Sequence, residues 1–278
     1  MSPFRPRRSL GQSFLVHIPT ANRLVSALDV GVDDTVLEVG PGKGILTRRL
    51  LERAKRVIAV EIDERLVKTL SSKLGDRPEL ELVHGDFLHF ELGTLGPTAP
   101  GGKKGELKVI GNLPYNVSSQ IVYRLLNHNS VWTRAVLTTQ REFAQRVLAG
   151  PGSKAYGPLS VFLERVVARE KLFNIPAARF RPRPDVVSTS FRLARREKPL
   201  FPLADEEGFR RTVKAAFAQR RKTLANNLCA ELGLDREGLL EVLKRCGIDD
   251  RARGEAVGIS GFRRLHRALA GRTGQGPD

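Results

Sequence analysis

The sequence predicts an α/β fold: a mostly parallel central sheet with helices on both faces, followed by a small all-helical C-terminal domain. Three observations predict it. Short apolar runs rich in Val, Ile and Leu alternate with helical stretches through the first two thirds of the chain. One of these runs leads into a glycine turn and then a helix. Past a charged, proline-containing segment, apolar residues recur at helical rather than strand spacing.

The runs expected as buried strands are 35–39, 57–61, 80–84, 108–111 and 135–139, with a later alternating strand at 187–193. Buried parallel strands need no polar face, which accounts for their continuous apolar character. Residues 93–105 (GTLGPTAPGGKKG) read as a loop on composition. Residues 195–202 (RREKPLFP) carry charge and two prolines without periodicity, and mark a linker. The expected division is therefore 1–198 for the α/β domain and 199–278 for a basic helical one. In the second, Phe209, Val213, Phe217, Leu224 and Leu228 form an apolar stripe with Arg and Lys on other faces.

The 278 residues are 41% hydrophobic, enough for a proper core, so a disordered chain is excluded. A formal charge of +17 implies a polyanionic partner. Residues 179–278 hold 22 Lys and Arg against 13 Asp and Glu, a net of +9, so the excess is denser toward the C-terminus. No apolar run is long enough to span a bilayer. Cys229 and Cys246 lack C-x-x-C spacing and a nearby histidine pair, so free thiols are expected and no metal site. The first ten residues are basic, but a motif beginning at Gly11 leaves too little for a typical targeting segment, and the cytoplasm is the expected location.

The strand 35–39 runs into Gly40-Pro41-Gly42-Lys43-Gly44. Glycines there allow a sharp turn and let a ligand approach main-chain N–H groups. Glu61 ends the next strand, 21 residues after Gly40, where an acid accepts hydrogen bonds from a ribose diol. Asp86 ends a third strand and suits an adenine amino group, with Phe87 covering the ring. Taken alone, the glycine loop also fits an ordinary strand–helix turn or a nicotinamide dinucleotide site. Its G-x-G-x-G spacing tilts the reading to S-adenosyl-L-methionine, and no phosphate-binding G-x-x-x-x-G-K-[ST] is present.

The fourth strand ends in Asn112-Leu113-Pro114-Tyr115. The exocyclic amine of adenine is a poor nucleophile because its lone pair is delocalised into the ring. Hydrogen bonds to the Asn112 side-chain oxygen and a backbone carbonyl at Leu113 favour a pyramidal nitrogen. Pro114 stiffens the turn, and Tyr115 offers a stacking face for an extruded base. The plainer alternative is that Asn112 caps a helix and Tyr115 packs.

These residues, together with Gly11–Leu15, Gln140–Glu142, Ser153–Ser160, Phe180–Val186 and Phe217–Leu224, resemble the rRNA adenine N6-dimethyltransferase family, on its small-subunit (16S) branch. The resemblance implies a Rossmann-like methyltransferase domain. It further implies transfer of two methyl groups to each of two adjacent adenosines near the 3′ end of small-subunit rRNA, on an assembling ribosomal subunit. On that basis Gln12, Leu15, Gly40, Gly42, Glu61, Ile62, Asp86, Phe87 and Asn112 surround the cofactor. Asn112, Leu113, Pro114 and Tyr115 surround the target amine, with Phe180 as a second stacking face opposite Tyr115. Ser13 departs from the family, where Asn is common.

Arg7, Arg8, Arg181, Arg183, Arg220, Arg221 and Lys222 lie in basic clusters and are the expected phosphate contacts. The alternatives are a large-subunit enzyme of the macrolide-resistance type, a DNA adenine methyltransferase, and a mainly non-catalytic assembly factor. A monomer is the default expectation.

Overall fold

The computed structural model describes residues 6–7, 10–95 and 105–270. The chain forms two compact units: Met1–Ala144 with Val167–Glu197, and Gln145–Val166 with Lys198–Asp278. The helical unit thus takes in residues 145–166, where a linear division has a single boundary at 198.

The first unit is built on a seven-stranded sheet. Its parallel strands are β2 (Thr35–Val39), β3 (Arg56–Glu61), β4 (Leu80–His84), β5 (Leu107–Asn112) and β6 (Arg134–Gln140). Two antiparallel strands, β7 (Val167–Ile175) and β9 (Ser188–Arg195), complete it in the order β4-β3-β2-β5-β6-β9-β7. The five predicted parallel strands and the late strand are all present, each within about two residues of its expected bounds. β7 escapes sequence reading because it is a half-exposed edge strand whose alternation is broken by an irregularity between Lys171 and Phe173.

Helices α1 (Ile18–Leu28), α3 (Glu64–Leu74) and α4 (Ser118–Asn127) each bury one face. The short α2 (Thr47–Leu50) follows the glycine turn, and α5 (Arg141–Leu148) starts where β6 ends. Leu24, Val25 and Leu28 of α1 pack with Val36, Val57, Ile110 and Val136 of the strands to make one core. A separate two-stranded ribbon pairs β1 (Phe14–Leu15) with β8 (Phe180–Arg181), Leu15 opposite Phe180. Strands this short carry no period and are invisible in sequence.

Strand order reverses direction between β2 and β5, which are neighbours in space with β3 and β4 on one side and β6 on the other. In open α/β sheets such a switch point opens a crevice at the carboxyl ends of the strands. Gly40 follows β2 and Asn112 closes β5, so both residues flank this crevice.

The second unit contains α6 (Pro158–Val166), α7 (Glu206–Ala216), α8 (Leu224–Leu232), α9 (Arg236–Arg245) and α10 (Ile259–Ala270). Phe209 is its hub, meeting Phe162, Phe201 and His266 edge-on at 6.4, 5.8 and 5.7 Å between ring centroids. Burial pushes the His266 imidazole below its ordinary range, consistent with a neutral ring in this core. The expected single helical stripe from Phe209 to Leu228 is divided. α7 stops at Ala216, and Asn227 donates through Nδ2 to the carbonyls of Ala216 and Gln219, both at 3.1 Å. Thr223 then caps α8 by accepting from Asn226 N. Arg220, Arg221 and Lys222 therefore sit on the turn between two helices rather than on a helix face.

Candidate active site

A cleft of about 1110 Å³, counted with its open mouth, lies at the switch point. Its lining is assembled from the glycine turn after β2, the ends of β3, β4 and β5, and the segment Leu10–Leu15 that precedes α1. Gln12, Leu15, Gly40, Gly42, Glu61, Ile62, Asp86, Phe87, Asn112, Leu113, Pro114 and Tyr115 all line it.

Two glycines shape the floor. Gly40 and Gly42 have φ of +65° and +58°, the left-handed region that side chains resist. A Cβ on Gly42 would lie 2.8 Å from the Phe14 ring, whereas one on Gly40 would meet nothing within 4 Å. Gly42 thus admits Phe14 closely, and Gly40 leaves open space in the cleft.

Glu61 is 4% exposed, and both its oxygens are engaged: Oε2 accepts from Gly42 N at 3.0 Å and Oε1 from Asp63 N at 2.9 Å. Burial pushes its carboxyl upward, against these two bonds. Glu61 lines the cleft. A second buried acid, Glu38, also lines the cleft at 1% exposure; Thr47 lies against its carboxyl, and its Oε2 has no hydrogen-bond partner among the described residues. Burial, reinforced by the nearby Glu61, pushes Glu38 up to about 8. Sequence reasoning missed Glu38, because an acid inside an apolar strand carries no periodic signal.

Gln12 works as a tether. Its Nε2 donates to Asp63 Oδ2 at 2.9 Å, and its Oε1 accepts from Arg7 N at 2.8 Å. Asp63 is fully buried, and the Arg65 guanidinium, with Gln12, holds its carboxyl well below the usual carboxylate range. Asp63 also caps α3 through Arg65 N. The arm before α1 is thereby fastened to the end of β3. Asp86 accepts from Leu88 N at 2.9 Å, which turns the chain so that Phe87 is buried and stacks on Phe90. Ile62, by contrast, is 45% exposed, an apolar surface at the cleft.

At the end of β5, Asn112 Nδ2 donates to the Ser13 carbonyl at 2.9 Å. That carbonyl is an obligatory acceptor, so the amide nitrogen must face it and Oδ1 must face the other way. Asn112 Oδ1 is buried and has no partner among the described residues. The Ser13 hydroxyl donates to Pro182 O at 2.9 Å, so the residue that departs from the family pattern ties the arm to the segment after β8. Tyr115 is half-buried with its hydroxyl 2.7 Å from Ser188 Oγ, at the start of β9, and burial pushes its phenol up. Ser188 was not singled out from sequence.

Phe180 requires correction. It is 0% exposed, belongs to the core cluster with Leu24 and Val25, and does not line the cleft. Its pairing opposite Leu15 turns both side chains to the same inner face of the ribbon. It supports the arm from beneath instead of offering a ring opposite Tyr115.

Of the expected phosphate contacts, Arg7, Arg181, Arg183, Arg220, Arg221 and Lys222 are exposed, and Arg8 lies outside the described residues. Arg181 donates to the carbonyls of Ala178 and Phe180, and Arg220 to that of Lys154, so these two also hold local backbone. Among the described residues no helix is long and apolar enough to cross a membrane.

A family model described as ribosomal RNA adenine dimethylase matches residues 4–264. A protein of Geobacter metallireducens named ribosomal RNA small subunit methyltransferase A is 43% identical over 268 residues, covering 95% of this chain and 96% of the relative. A protein of the same name from Moorella thermoacetica is 40% identical over 95% of this chain and 92% of its own length. The crystal structure of the 23S rRNA methyltransferase ErmE matches with a TM-score of 0.72 at 30% identity, over 92% of this chain and 99% of that one. A dimethyladenosine transferase from Plasmodium falciparum shares the fold, with a TM-score of 0.78 at 24% identity over 94% and 98% of the two chains. With its cleft at the switch point and a family match spanning both units, the chain belongs to the ribosomal RNA adenine dimethylase family.

Proposed function

We propose that the chain uses S-adenosyl-L-methionine to dimethylate N6 of two adjacent adenosines near the 3′ end of small-subunit (16S) rRNA. In this reading it acts during assembly of the small subunit, as a cytoplasmic monomer. The observation that carries the reading is Asn112 Oδ1, a buried, unpartnered acceptor at the carboxyl end of β5, beside Tyr115. A buried acceptor without a donor costs roughly 1–3 kcal/mol, which a bound amine recovers.

The cleft suits an adenosyl ligand. Gly40 leaves space where any side chain would intrude, Glu61 has lone pairs for a ribose diol, and Asp86 and Phe87 stand at the third strand end for an adenine. When bound, S-adenosyl-L-methionine supplies an electrophilic methyl on a sulfonium. The chain's task is then to hold the N6 amine. Asn112 Oδ1 accepts one N–H, and the Leu113 carbonyl is placed as a second acceptor, which draws the hydrogens out of the ring plane and frees the lone pair. Tyr115, anchored by Ser188, fixes the ring plane. Positioning of this kind needs no strong base, since the cationic product amine gives up a proton readily. After one transfer the amine keeps a single N–H, which Asn112 still holds. After the second none is left, and the product loses its anchor.

The small-subunit branch is favoured over the 23S type because the relatives at 40–43% identity carry the small-subunit name, against 30% for ErmE. The test is labelled methyl transfer to unmethylated small and large subunits side by side, with the product nucleoside identified. Dimethyladenosine in the small subunit alone supports the reading. Label confined to the large subunit moves the chain to the other branch, and no label with intact particle binding leaves an assembly factor.

A further inference from the structure

The α/β unit carries a second depression. It is formed by Pro176, Ala177 and Ala178 on one side and by Arg183, Pro184, Asp185, Val186 and Val187 on the other, with a volume of about 910 Å³ open to solvent. Six of its eight lining residues are apolar by type, polar and apolar atoms share its surface about equally, and Val186 is 42% exposed there, one of few exposed large hydrophobic side chains among the described residues. Arg183 and Asp185 are exposed and make no hydrogen bond or ion pair with the described residues. Arg181, by contrast, is spent on local carbonyls.

The position of the depression is fixed at two points. Val187 O accepts from Arg141 N at 3.0 Å, which docks the loop against the end of β6. The next residue, Ser188, holds the Tyr115 hydroxyl at 2.7 Å. Val187 is one peptide unit, about 3.8 Å, from that anchor. The Val187 end of the depression is thus one residue from the group that holds the Tyr115 hydroxyl, which makes it a candidate seat for a nucleotide next to a base on Tyr115.

We propose that the pocket between Ala177 and Val186 is a subsite for a nucleotide flanking the methylated adenosine. Its base lies on the Pro176, Ala177 and Val186 surface, and its phosphate meets Arg183. Asp185 is an acceptor and not a donor at the pocket's edge, so it favours a base edge that presents an N–H, such as the exocyclic amine of adenine, cytosine or guanine. Unpaired nucleotides are held through their flat faces and their phosphates rather than by base pairing, and here Pro, Ala and Val supply the face and Arg183 the cation. The proposal rests on the methyl-transfer reading above and adds a base-recognition site to it.

The experiment uses the full chain and small-subunit particles reconstituted with rRNA that is native or abasic at one neighbour of the target adenosine, each neighbour in turn. Methyl transfer is measured for wild type, Val186→Ser and Arg183→Gln, with S-adenosyl-L-methionine affinity measured on the same samples. For one neighbour, removing its base should raise the wild-type KM by roughly tenfold, the scale of returning a few tens of Å² of apolar surface to water, with kcat nearly unchanged. Val186→Ser should raise KM similarly on native particles and add little on abasic ones, because the partner is already gone. Arg183→Gln should raise KM on both, since the phosphate remains. Cofactor affinity should be the same throughout, which excludes misfolding. The subsite is overturned if neither abasic particle differs from native for wild type, or if Val186→Ser loses the same factor on native and abasic RNA. Absence of transfer by wild type on native particles would instead overturn the methyl-transfer reading.

Discussion

Asn112 Nδ2 lies 2.9 Å from the carbonyl oxygen of Ser13, a residue almost a hundred positions earlier. This bond orients the amide and leaves Oδ1 buried without a partner among the described residues, the acceptor that the proposed function assigns to the substrate amine. It is made by the backbone of residue 13, so the side chain at that position is free to vary. Ser13→Ala removes only the bond to Pro182 O, worth about 0.5–1.5 kcal/mol. We expect kcat to change by less than about threefold, with any loss appearing in stability. A hundredfold fall in kcat, measured with saturating RNA and cofactor, would show that the hydroxyl itself takes part.

Tyr115 and Ser188 should behave as one element. Tyr115→Phe and Ser188→Ala each break the same 2.7 Å bond, so the double variant should be little worse than either single one. Each should raise KM for RNA by about three- to tenfold, as expected for one hydrogen bond of 0.5–1.5 kcal/mol. Tyr115→Ala removes the ring as well and should cost much more. Full additivity in the steady-state cycle would mean that Ser188 does not act through Tyr115.

Glu61 faces the cleft while bound to Gly42 N and Asp63 N. Replacing it with Ala removes both the ribose acceptor and the brace on the glycine turn. S-adenosyl-L-methionine should bind at least about tenfold more weakly, since hydrogen bonds to a charged group are worth roughly 1.5–3 kcal/mol. Titration calorimetry with an unchanged dissociation constant would remove Glu61 from the site.

Glu38 makes the stability of the ligand-free chain depend on pH. Its carboxyl is raised to about 8 by burial, far above the value of an unfolded-state glutamate. Well below the ordinary carboxylate range both states are protonated and Glu38 has no effect. As pH rises the unfolded chain ionises first, binds fewer protons than the native one, and stability falls until Glu38 ionises in the fold as well. Glu38→Gln cannot ionise and escapes this loss. Thermal melts should place the variant progressively above wild type between about pH 5 and pH 8. Parallel curves across that range would mean that Glu38 is not held protonated.

Of the three cations on the turn, Arg220 donates to the Lys154 carbonyl, unlike Arg221 and Lys222. Arg221→Ala and Lys222→Ala should each weaken particle binding and flatten its dependence on salt, by roughly 0.7–0.9 in log–log slope for each phosphate left unneutralised. Arg220→Ala should in addition lower the melting temperature. A salt slope unchanged in all three variants would rule out the turn as a phosphate-binding element.

The parallel strands were legible because most of their runs are short and apolar on both faces, and the cleft-lining residues Glu61, Asp86 and Asn112 because each stands at or just past the end of such a run. The β1–β8 ribbon was not legible: it consists of two residues on each side, from segments more than 160 positions apart. Without it nothing in the sequence could show that Phe180 faces the core, nor that Ser13 supplies the carbonyl that orients Asn112. Arg220–Lys222 were misplaced on a helix for a related reason. The apolar spacing continues through the turn, and the break depends on Asn227 reaching back to Ala216, a bond that carries no periodic signature.

The central claim is that Asn112 Oδ1 holds the amine during transfer. It is tested most directly by single-turnover methyl transfer to unmethylated small subunits with wild type and Asn112→Ala, the cofactor dissociation constant being measured on the same preparations. We expect transfer by the variant to fall at least about a hundredfold, the scale of losing one preorganised catalytic hydrogen bond, while the cofactor still binds measurably. Transfer at the wild-type rate would contradict the account.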